Sequence, residues 1–124
     1  RYKDLIGIIP RDDGEGCLQD VHWSEGLFGY FPSYLLGHLI SAQLAEAMDV
    51  DLKGQCDQDQ DQISALISIG KESSLLAWLR RNVHSQGRQV NAEELVEKVT
   101  GKRLSSKPFV RYLESKLEEL GPGS

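Results

Sequence analysis

The stretch GCLQDVHWSEGLFGYFPSYLLG, residues 16–37, is the part of the sequence that best indicates the fold. Its second half begins a helix, since Pro32 suits a first helical turn and apolar residues then recur at spacings of three and four. We expect this helix to end near residues 48–50 and to be buried on most sides. The first half is unusual for a helical core, because five polar and aromatic side chains stand among glycines. They are Asp20, His22, Trp23, Tyr30 and Tyr34.

The residues before the long helix predict short elements joined by turns. Residues 1–6 suit the end of a helix or a short strand, and residues 7–16 form a loop rich in turn formers. Residues 19–24 are enough for a single helical turn. Residues 25–30 contain two glycines and predict a loop in which the chain changes direction.

Two short helices are predicted after the long one. An apolar helical face begins at Ile63, and Gly70 stops it. Ser73 or Ser74 is expected to cap the next helix, and Gly87 ends it. The apolar stripe of that helix, with Trp78 beside it, consists of Leu75, Leu76, Leu79 and Val83.

Two further helices follow toward the end of the chain. Asn91 and Glu94 have the spacing of a capping box, and Gly101 suits the position just after a helix. The last helix is expected to open at a serine followed by Pro108. That serine is Ser105 or Ser106, and the apolar stripe is Phe109, Tyr112, Leu113, Leu117 and Leu120.

The pattern as a whole predicts an all-α fold. No segment alternates apolar and polar residues over a length that would form a sheet. A chain of 124 residues suits one compact region, so we expect residues 1–124 to form a single helical region. Residues 121–124 carry no packing signal and are expected to be a flexible tail.

Charge and composition argue against two classes of partner. The chain has 14 Lys and Arg against 19 Asp and Glu, a net charge of −5, whereas a nucleic-acid binder normally shows a basic face. One short basic cluster lacks stacking aromatic residues and predicts a solvated helix end. It consists of Arg80, Arg81, His84 and Arg88. No stretch approaches the ~20 apolar residues of a membrane span, so no membrane partner is expected.

The cysteines point to a reducing compartment. Cys17 and Cys56 are far apart in the sequence and form neither a CxxC pair nor a disulfide framework. Each is best interpreted as a reduced thiol. We therefore expect the protein to be cytoplasmic, with an organelle interior as the alternative.

The alternating acidic residues Asp57, Asp59 and Asp61 superficially suggest a calcium loop. An EF-hand loop that began at Asp57 would need Gly at its sixth position and Glu at its twelfth. Those positions hold Gln62 and Ser68. The segment is therefore interpreted as a solvated connector that leads into a helix.

His22 is the strongest candidate for chemistry among the residues of the motif. A His can donate a hydrogen bond to an oxyanion or a carboxylate, and Asp20, two residues away, can fix its tautomer. Tyr30 and Tyr34 are four residues apart, so on a continuous helix both hydroxyls would project from one face. The alternative is that His22 is an ordinary core or surface residue beside Trp23.

A complete catalytic site is missing from the sequence. There is no HExxH, GxSxG, Walker loop or GxGxxG. The histidines stand at positions 22, 38 and 84, without the spacing of metal ligands. We therefore expect this chain alone to hold no metal site and no cofactor.

Two motifs resemble the carboxypeptidase Taq family of metallocarboxypeptidases (M32). GCLQDVHW, residues 16–23, resembles the family's GxxQDxHW, and GLFGYFPSY, residues 26–34, resembles its GxFGYFPTY, with Ser33 in place of Thr. Residues 94–101 and 108–113 are also similar to the family's C-terminal region. The resemblance covers nearly the whole chain.

The resemblance implies an all-helical enzyme that removes C-terminal amino acids from peptides with one divalent metal ion, zinc or cobalt. In that family the metal is held by an HExxH helix and a later Glu, both upstream of the matching region. The chain is therefore expected to be a C-terminal region, inactive alone, whose partners are peptide substrates and the missing N-terminal part. A homodimer is also expected to be possible, since the family commonly forms one.

The resemblance also suggests roles for the motif residues. His22 would donate to the substrate carbonyl, its oxyanion or the terminal carboxylate, and Asp20 would orient it beside the bound substrate or hold the turn. Tyr34 is the preferred oxyanion stabiliser, and Tyr30 would lie nearer the substrate carboxylate. Two neighbouring residues would support the site from behind. They are Gln19 and Trp23.

Two functions without hydrolysis stay open as alternatives. The chain could be a non-enzymatic helical interaction module that retains the peptidase signature and serves in assembly. It could also be a peptide-binding module that uses His22 and the tyrosines as a groove. An HExxH motif in the upstream sequence would favour the enzyme over both alternatives.

Overall fold

The computed structural model describes residues 2–55 and 61–121, and within them every regular element is helical. The predicted all-α fold class is therefore confirmed. The seven α-helices are α1 (Tyr2–Ile6), α2 (Val21–Ser24), α3 (Pro32–Asp51), α4 (Gln62–Ser68), α5 (Glu72–Asn82), α6 (Ala92–Thr100) and α7 (Lys107–Leu120). Short 3-10 turns cover Cys17–Gln19 and His84–Gln86.

The chain falls into two compact units, Arg1–Leu36 and Gly37–Ser124. The expectation of one helical region over the whole chain stays a prediction. Three sequence-based expectations lie outside the described residues: the state of Cys56, the interpretation of residues 57–60, and the flexibility of residues 122–124.

Trp78 fills the centre of the second unit's core. Its side chain is only 1% exposed and packs with three other buried residues, Met48, Leu52 and Leu66. Its indole Nε1 donates a hydrogen bond to a carboxylate oxygen of Asp51 over 2.8 Å, so the polar end of the ring is satisfied. The expectation that Trp78 stands beside the apolar stripe was wrong, because this large ring occupies the interior while Leu76 faces outward.

The long helix α3 is less buried than its apolar stripe suggests. In its first half, Leu35 and Leu36 are about half exposed, and only Gln43 and Met48 are fully buried along the helix. The expectation of burial on most sides was therefore wrong. The second half of α3 contributes Met48 and Ala47 to the core of the second unit.

The predicted capping box of α6 is confirmed. The Asn91 side chain accepts a hydrogen bond from the Glu94 backbone N–H over 2.9 Å, and the Glu94 carboxylate accepts one from the Asn91 N–H over 3.1 Å. Gly101 closes the helix at φ +69°, the left-handed conformation that its position requires. These local rules act within one turn, so the sequence was sufficient to predict both ends.

The helix α5 begins earlier than expected. Its N-cap is Lys71, whose side chain makes no capping hydrogen bond, so Ser73 and Ser74 lie inside the first turn instead of capping it. The Lys71 N–H donates to the Leu66 carbonyl over 2.8 Å. This bond closes the turn at Gly70 that ends α4.

The last helix, α7, is held at its beginning and exposed along the rest. Phe109 stacks on His38 with ring centroids 5.9 Å apart, and Arg111 makes a two-pronged ion pair with Glu46. Four apolar side chains of α7, at spacings of three and four, are exposed: Val110, Leu113, Leu117 and Leu120. None of the helices in residues 2–55 and 61–121 has the length and apolar content needed to cross a membrane.

Gln43 joins α3 to the connector between α6 and α7. Its side chain is 4% exposed, and its Nε2 lies 3.1–3.3 Å from three oxygens: Thr100 Oγ1, the Lys102 carbonyl and the Arg103 carbonyl. Its Oε1 accepts a hydrogen bond from the Ser105 N–H over 3.0 Å. A single buried amide therefore connects α3 to the end of α6 and to the backbone of the connector that follows.

We predict that Gln43→Leu destabilises the chain by about 2–3 kcal/mol, because it leaves buried polar groups of the connector unsatisfied. The free energy of unfolding in urea, followed by circular dichroism, measures the effect. Gln55→Leu is the matched control, since Gln55 is exposed. An equal, small effect of both substitutions would contradict the role of Gln43.

Candidate functional site

The first motif begins in a tight loop that leaves little room for a side chain at Gly16. A Cβ atom at this position would lie 3.1 Å from the Pro10 Cγ and 3.3 Å from the Asp12 carbonyl oxygen. The Gly16 carbonyl also accepts a hydrogen bond from the Gln19 N–H, and the Gln19 side chain donates to the Gly14 carbonyl. The first Gly and the Gln of the motif therefore stabilise the turn before the site.

Asp20 holds His22 by two hydrogen bonds to one carboxylate oxygen. Oδ1 accepts from the His22 backbone N–H over 3.1 Å, which caps α2, and it lies 2.7 Å from the ring Nδ1. The side chains of both residues are largely covered, with 17% of His22 and 25% of Asp20 exposed. The Asp at this position is thus both the helix cap and the anchor of the imidazole.

The contact with Asp20 decides what the His22 ring can do. An ionised carboxylate only accepts hydrogen bonds, so Nδ1 carries a hydrogen and donates it to Asp20. In the neutral ring Nε2 is then an acceptor, and in the protonated ring Nε2 becomes a donor. The ring can therefore take up or supply a proton at Nε2 while its orientation stays the same.

The pKa of the Asp20 carboxyl lies below its ordinary value of 3.8. Partial burial by itself would raise the pKa, but the hydrogen bonds from the ring and backbone of His22, with the charge of the ring, lower it further than burial raises it. Asp20 is therefore ionised at neutral pH, as its role of acceptor for His22 requires.

The loop after α2 returns the chain to His22. Gly26 and Gly29 adopt φ of +73° and +71°, a conformation that other residues rarely adopt. The Leu27 N–H donates to the His22 carbonyl over 2.8 Å, and the Tyr30 N–H donates to the Leu27 carbonyl. These bonds place the beginning of α3 beside the imidazole. Residues 25–30 thus form the glycine-rich loop in which the chain changes direction.

Three aromatic rings surround the His22 imidazole. The ring centroids of Tyr30, Phe31 and Tyr34 lie 5.3, 5.8 and 5.7 Å from that of His22. The Tyr34 hydroxyl is 3.5 Å from Nε2, a long contact that brings two polar groups to the same point. Tyr30 packs its ring edge against Tyr34 at 84°.

The structure brings four of the predicted site residues together: Asp20, His22, Tyr30 and Tyr34. The other two lie beside this group: Gln19 holds the loop, and Trp23 packs edge-on against Phe28 at 5.2 Å. The sequence analysis missed Phe31, which touches His22 directly. Its position in the second motif, between the two tyrosines, was the available signal.

A metal site is not formed by the described residues. Within residues 2–55 and 61–121 no three His, Cys, Asp or Glu side chains come close enough to hold a metal ion. In the candidate site, the Nδ1 of His22 is already bound to Asp20, which leaves one ring nitrogen and no second ligand beside it. The described residues therefore do not fit a metal centre.

Solved structures of longer proteins contain the same fold. The chain superimposes with a TM-score of 0.79 on an M32 carboxypeptidase from Deinococcus radiodurans at 35% identity, covering 96% of this chain and 22% of that one. It also matches metallocarboxypeptidase 1 of Trypanosoma cruzi with a TM-score of 0.79 at 33% identity, covering 94% of this chain and 23% of that one.

Curated sequences agree with the structural match. Thermostable carboxypeptidase 1 of Thermus thermophilus and carboxypeptidase 1 of Bacillus subtilis are each 38% identical over 120 residues. The match covers 97% of this chain, and the chain spans 22% of the length of either relative. The family model of the carboxypeptidase Taq (M32) metallopeptidases matches residues 1–117. The chain therefore belongs to the carboxypeptidase Taq family of metallopeptidases.

Proposed function

We propose that this chain is the C-terminal part of a metal-dependent carboxypeptidase that removes C-terminal amino acids from peptides. The observation that carries the proposal is the Asp20–His22–Tyr34 arrangement, found in a chain that belongs to a metallopeptidase family. In this proposal the chain supplies groups that contact the substrate, and another part of the longer protein supplies the metal. The family's name as a metallopeptidase supports a divalent ion, for which we propose zinc or cobalt.

His22 is proposed to act on the carbonyl that is attacked. When the ring is protonated, its Nε2–H can donate a hydrogen bond to the oxygen that becomes negative in the tetrahedral intermediate. Asp20 keeps the ring in one orientation during this change, because the Nδ1 contact is the same in both protonation states. The short 2.7 Å separation and the limited exposure of both side chains support this role.

Tyr34 is the better placed of the two tyrosines for the same oxygen. Its hydroxyl lies 3.5 Å from the His22 Nε2, so both groups can donate to one substrate atom. Tyr30 has its ring against the imidazole and is proposed to lie nearer the substrate carboxylate. Gln19 and Trp23 are proposed to support the loop and not to touch the reacting atoms.

Three further parts of the proposal concern partners and location. Peptides are the proposed substrates, and the remaining part of the longer protein is the proposed binding partner of this chain. A homodimer is also proposed, by similarity to the family. The free thiol of Cys17 supports a reducing compartment, and we propose the cytoplasm.

We expect the full-length protein, supplied with zinc or cobalt, to release the C-terminal residue from N-blocked peptides, whereas the 124-residue chain releases none. Hydrolysis needs an activated water, and the described residues hold no group of metal ligands to activate one. Mass spectrometry of the peptides measures the release. Circular dichroism of the 124-residue chain is the control that it is helical.

Metal-dependent release by the 124-residue chain would show that its proposed inactivity is wrong. Peptide binding by the full-length protein without any release would instead favour the non-enzymatic alternative. Isothermal titration with the same peptides measures that binding.

In the full-length protein, His22→Ala is expected to lower kcat by about 10²–10³, the usual loss when one oxyanion donor is removed. The bound metal, measured by atomic absorption, stays the same because His22 is not proposed as a ligand. His84→Ala is the matched control, since His84 is exposed at the end of α5. Loss of metal in His22→Ala would contradict the assigned role.

The pKa of Asp20 is expected to rise toward 3.8 in His22→Ala, because the ring's hydrogen bond and charge lower it in the wild type. A lowered pKa means that the stabilisation by ionised Asp20 is fully present above 3.8 and is lost as the pH falls through the folded-state pKa. Carbon NMR of the side-chain carboxyl during an acid titration measures the change. An unchanged Asp20 titration in His22→Ala would contradict the pairing, and His84→Ala is the control.

A further inference from the structure

The first unit, Arg1–Leu36, has no apolar core among its described residues. The buried apolar side chains of residues 2–55 and 61–121 run from Met48 to Val96, and all of them lie in the second unit. In the first unit the side chains of His22 and Asp20 are among the best covered, with 17% and 25% exposed. Burial in this unit is therefore centred on the polar pair of the candidate site.

The large apolar side chains of the first unit are exposed instead. Among the large apolar and aromatic residues that are exposed in the described chain, fourteen lie within residues 5–36 and nine in the longer second unit. They come from every helical element of the first unit: Leu5 from α1, Leu18 from the 3-10 turn, Trp23 from α2 and Leu35 from α3. Exposed apolar surface of this extent is rare on a monomeric protein and marks a contact surface.

The first unit also lacks the devices that stabilise other small folds. A unit of 36 residues without a core normally needs a disulfide, a metal ion or a partner. Cys17 is a free thiol, and the described residues contain no group of metal ligands. The helices α1 and α2 have five and four residues, far below the ~12–15 residues under which an isolated helix is marginal in water. A partner is therefore required.

The size and position of the exposed surface indicate which partner it is. Because the apolar side chains come from all the elements of the unit, the partner must contact several of its sides. A short peptide covers only a few of these side chains, and a second copy related by a two-fold axis covers one face. The chain spans 22% of the length of its relatives, so most of a longer protein lies outside it. That part is large enough, and its covalent link keeps it beside the unit at high effective concentration.

We propose that the first unit docks through its exposed apolar surface onto the part of the longer protein that precedes this chain, and that this contact holds the His22 site in shape. The inference rests on the proposed function, in which this chain is the C-terminal part of that protein. It adds that the second unit, built around Trp78, folds without this partner, whereas the first unit does not.

Hydrogen exchange followed by mass spectrometry tests the proposal in the 124-residue chain and in the full-length protein. Peptides from residues 17–31 are expected to exchange about a hundredfold faster in the 124-residue chain than in the full-length protein. Peptides from α5 are the internal control. They should exchange slowly in both proteins, because Trp78 fixes this helix in the core of the second unit.

Ile9→Asp tests the docking surface itself. Ile9 is 67% exposed and has no proposed role in the site, and a carboxylate at this position would be removed from water when the unit docks. We expect the Tm of the full-length protein to fall by about 5 °C, while the Tm of the 124-residue chain stays the same. Gln55→Asp is the matched control, since it adds the same charge at an exposed polar position of the second unit and should change neither Tm. If full-length Ile9→Asp does not fold, Ile9→Ser should give a smaller fall in Tm.

Three results would overturn the inference. Equal exchange of residues 17–31 in the two proteins would show that the second unit or a second copy covers the first unit, and sedimentation of the 124-residue chain would tell these apart. Fast exchange of α5 in the 124-residue chain would show that the second unit needs the partner too. An unchanged Tm of the full-length protein in both Ile9 variants would show that this surface stays in water.

These measurements do not depend on catalysis. A full-length protein that releases no residue from any peptide would contradict the proposed function. The docking of the first unit would still stand in that case if residues 17–31 exchange slowly in the full-length protein and fast in the 124-residue chain.

Discussion

One oxygen of the Asp20 carboxylate accepts hydrogen bonds from both the backbone and the ring of His22, and the candidate site depends on this double contact. The backbone bond caps α2, and the ring bond sets the direction of the imidazole. Because both bonds share one acceptor, the start of the helix and the orientation of the ring cannot change independently. A ring held in this way presents Nε2 in one orientation.

The second constraint on the site is the reversal of the chain after α2. Positive φ at Gly26 and Gly29 allows the first turn of α3 to approach the imidazole, which then lies among three aromatic rings. The surroundings of the imidazole are apolar where these rings meet it. They are polar at the Tyr34 hydroxyl and at the Asp20 carboxylate. Such an arrangement leaves Nε2 as the one reactive atom of the ring, because Nδ1 is occupied.

Features governed by short-range rules could be predicted from the sequence. The capping box of α6 and the left-handed Gly101 require only residues within one turn of each other, and both were predicted correctly. The capping of α5 was not, because that helix begins after Lys71, whose side chain makes no capping hydrogen bond, and not after a serine. The apolar stripe of α5 was also misjudged at Trp78, since the size of its ring and the position of Asp51 decide which face is buried.

Long-range contacts explain most of what the sequence could not supply. Gln43 looks like an interruption of an apolar stripe, yet its side chain is buried and its partners are 57 to 62 residues away. Its role depends on where the connector of α6 and α7 runs. Similarly, the helical spacing of Leu35 and Leu36 suggested that they are buried, but both are about half exposed. Helical spacing shows which residues share a face, and it does not show whether another element covers that face.

The sequence by itself determined the helices, their glycine stops, the family motifs and four of the residues that meet at the site. Only the tertiary structure decided that Tyr34 and not Tyr30 reaches Nε2, and that Phe31 packs beside the imidazole. The physical reason is the distance along the chain over which each rule acts. Helical periodicity and capping act over three or four residues, and so does the contact of Asp20 with His22, whereas the three aromatic rings reach the imidazole only because the loop after α2 brings them back.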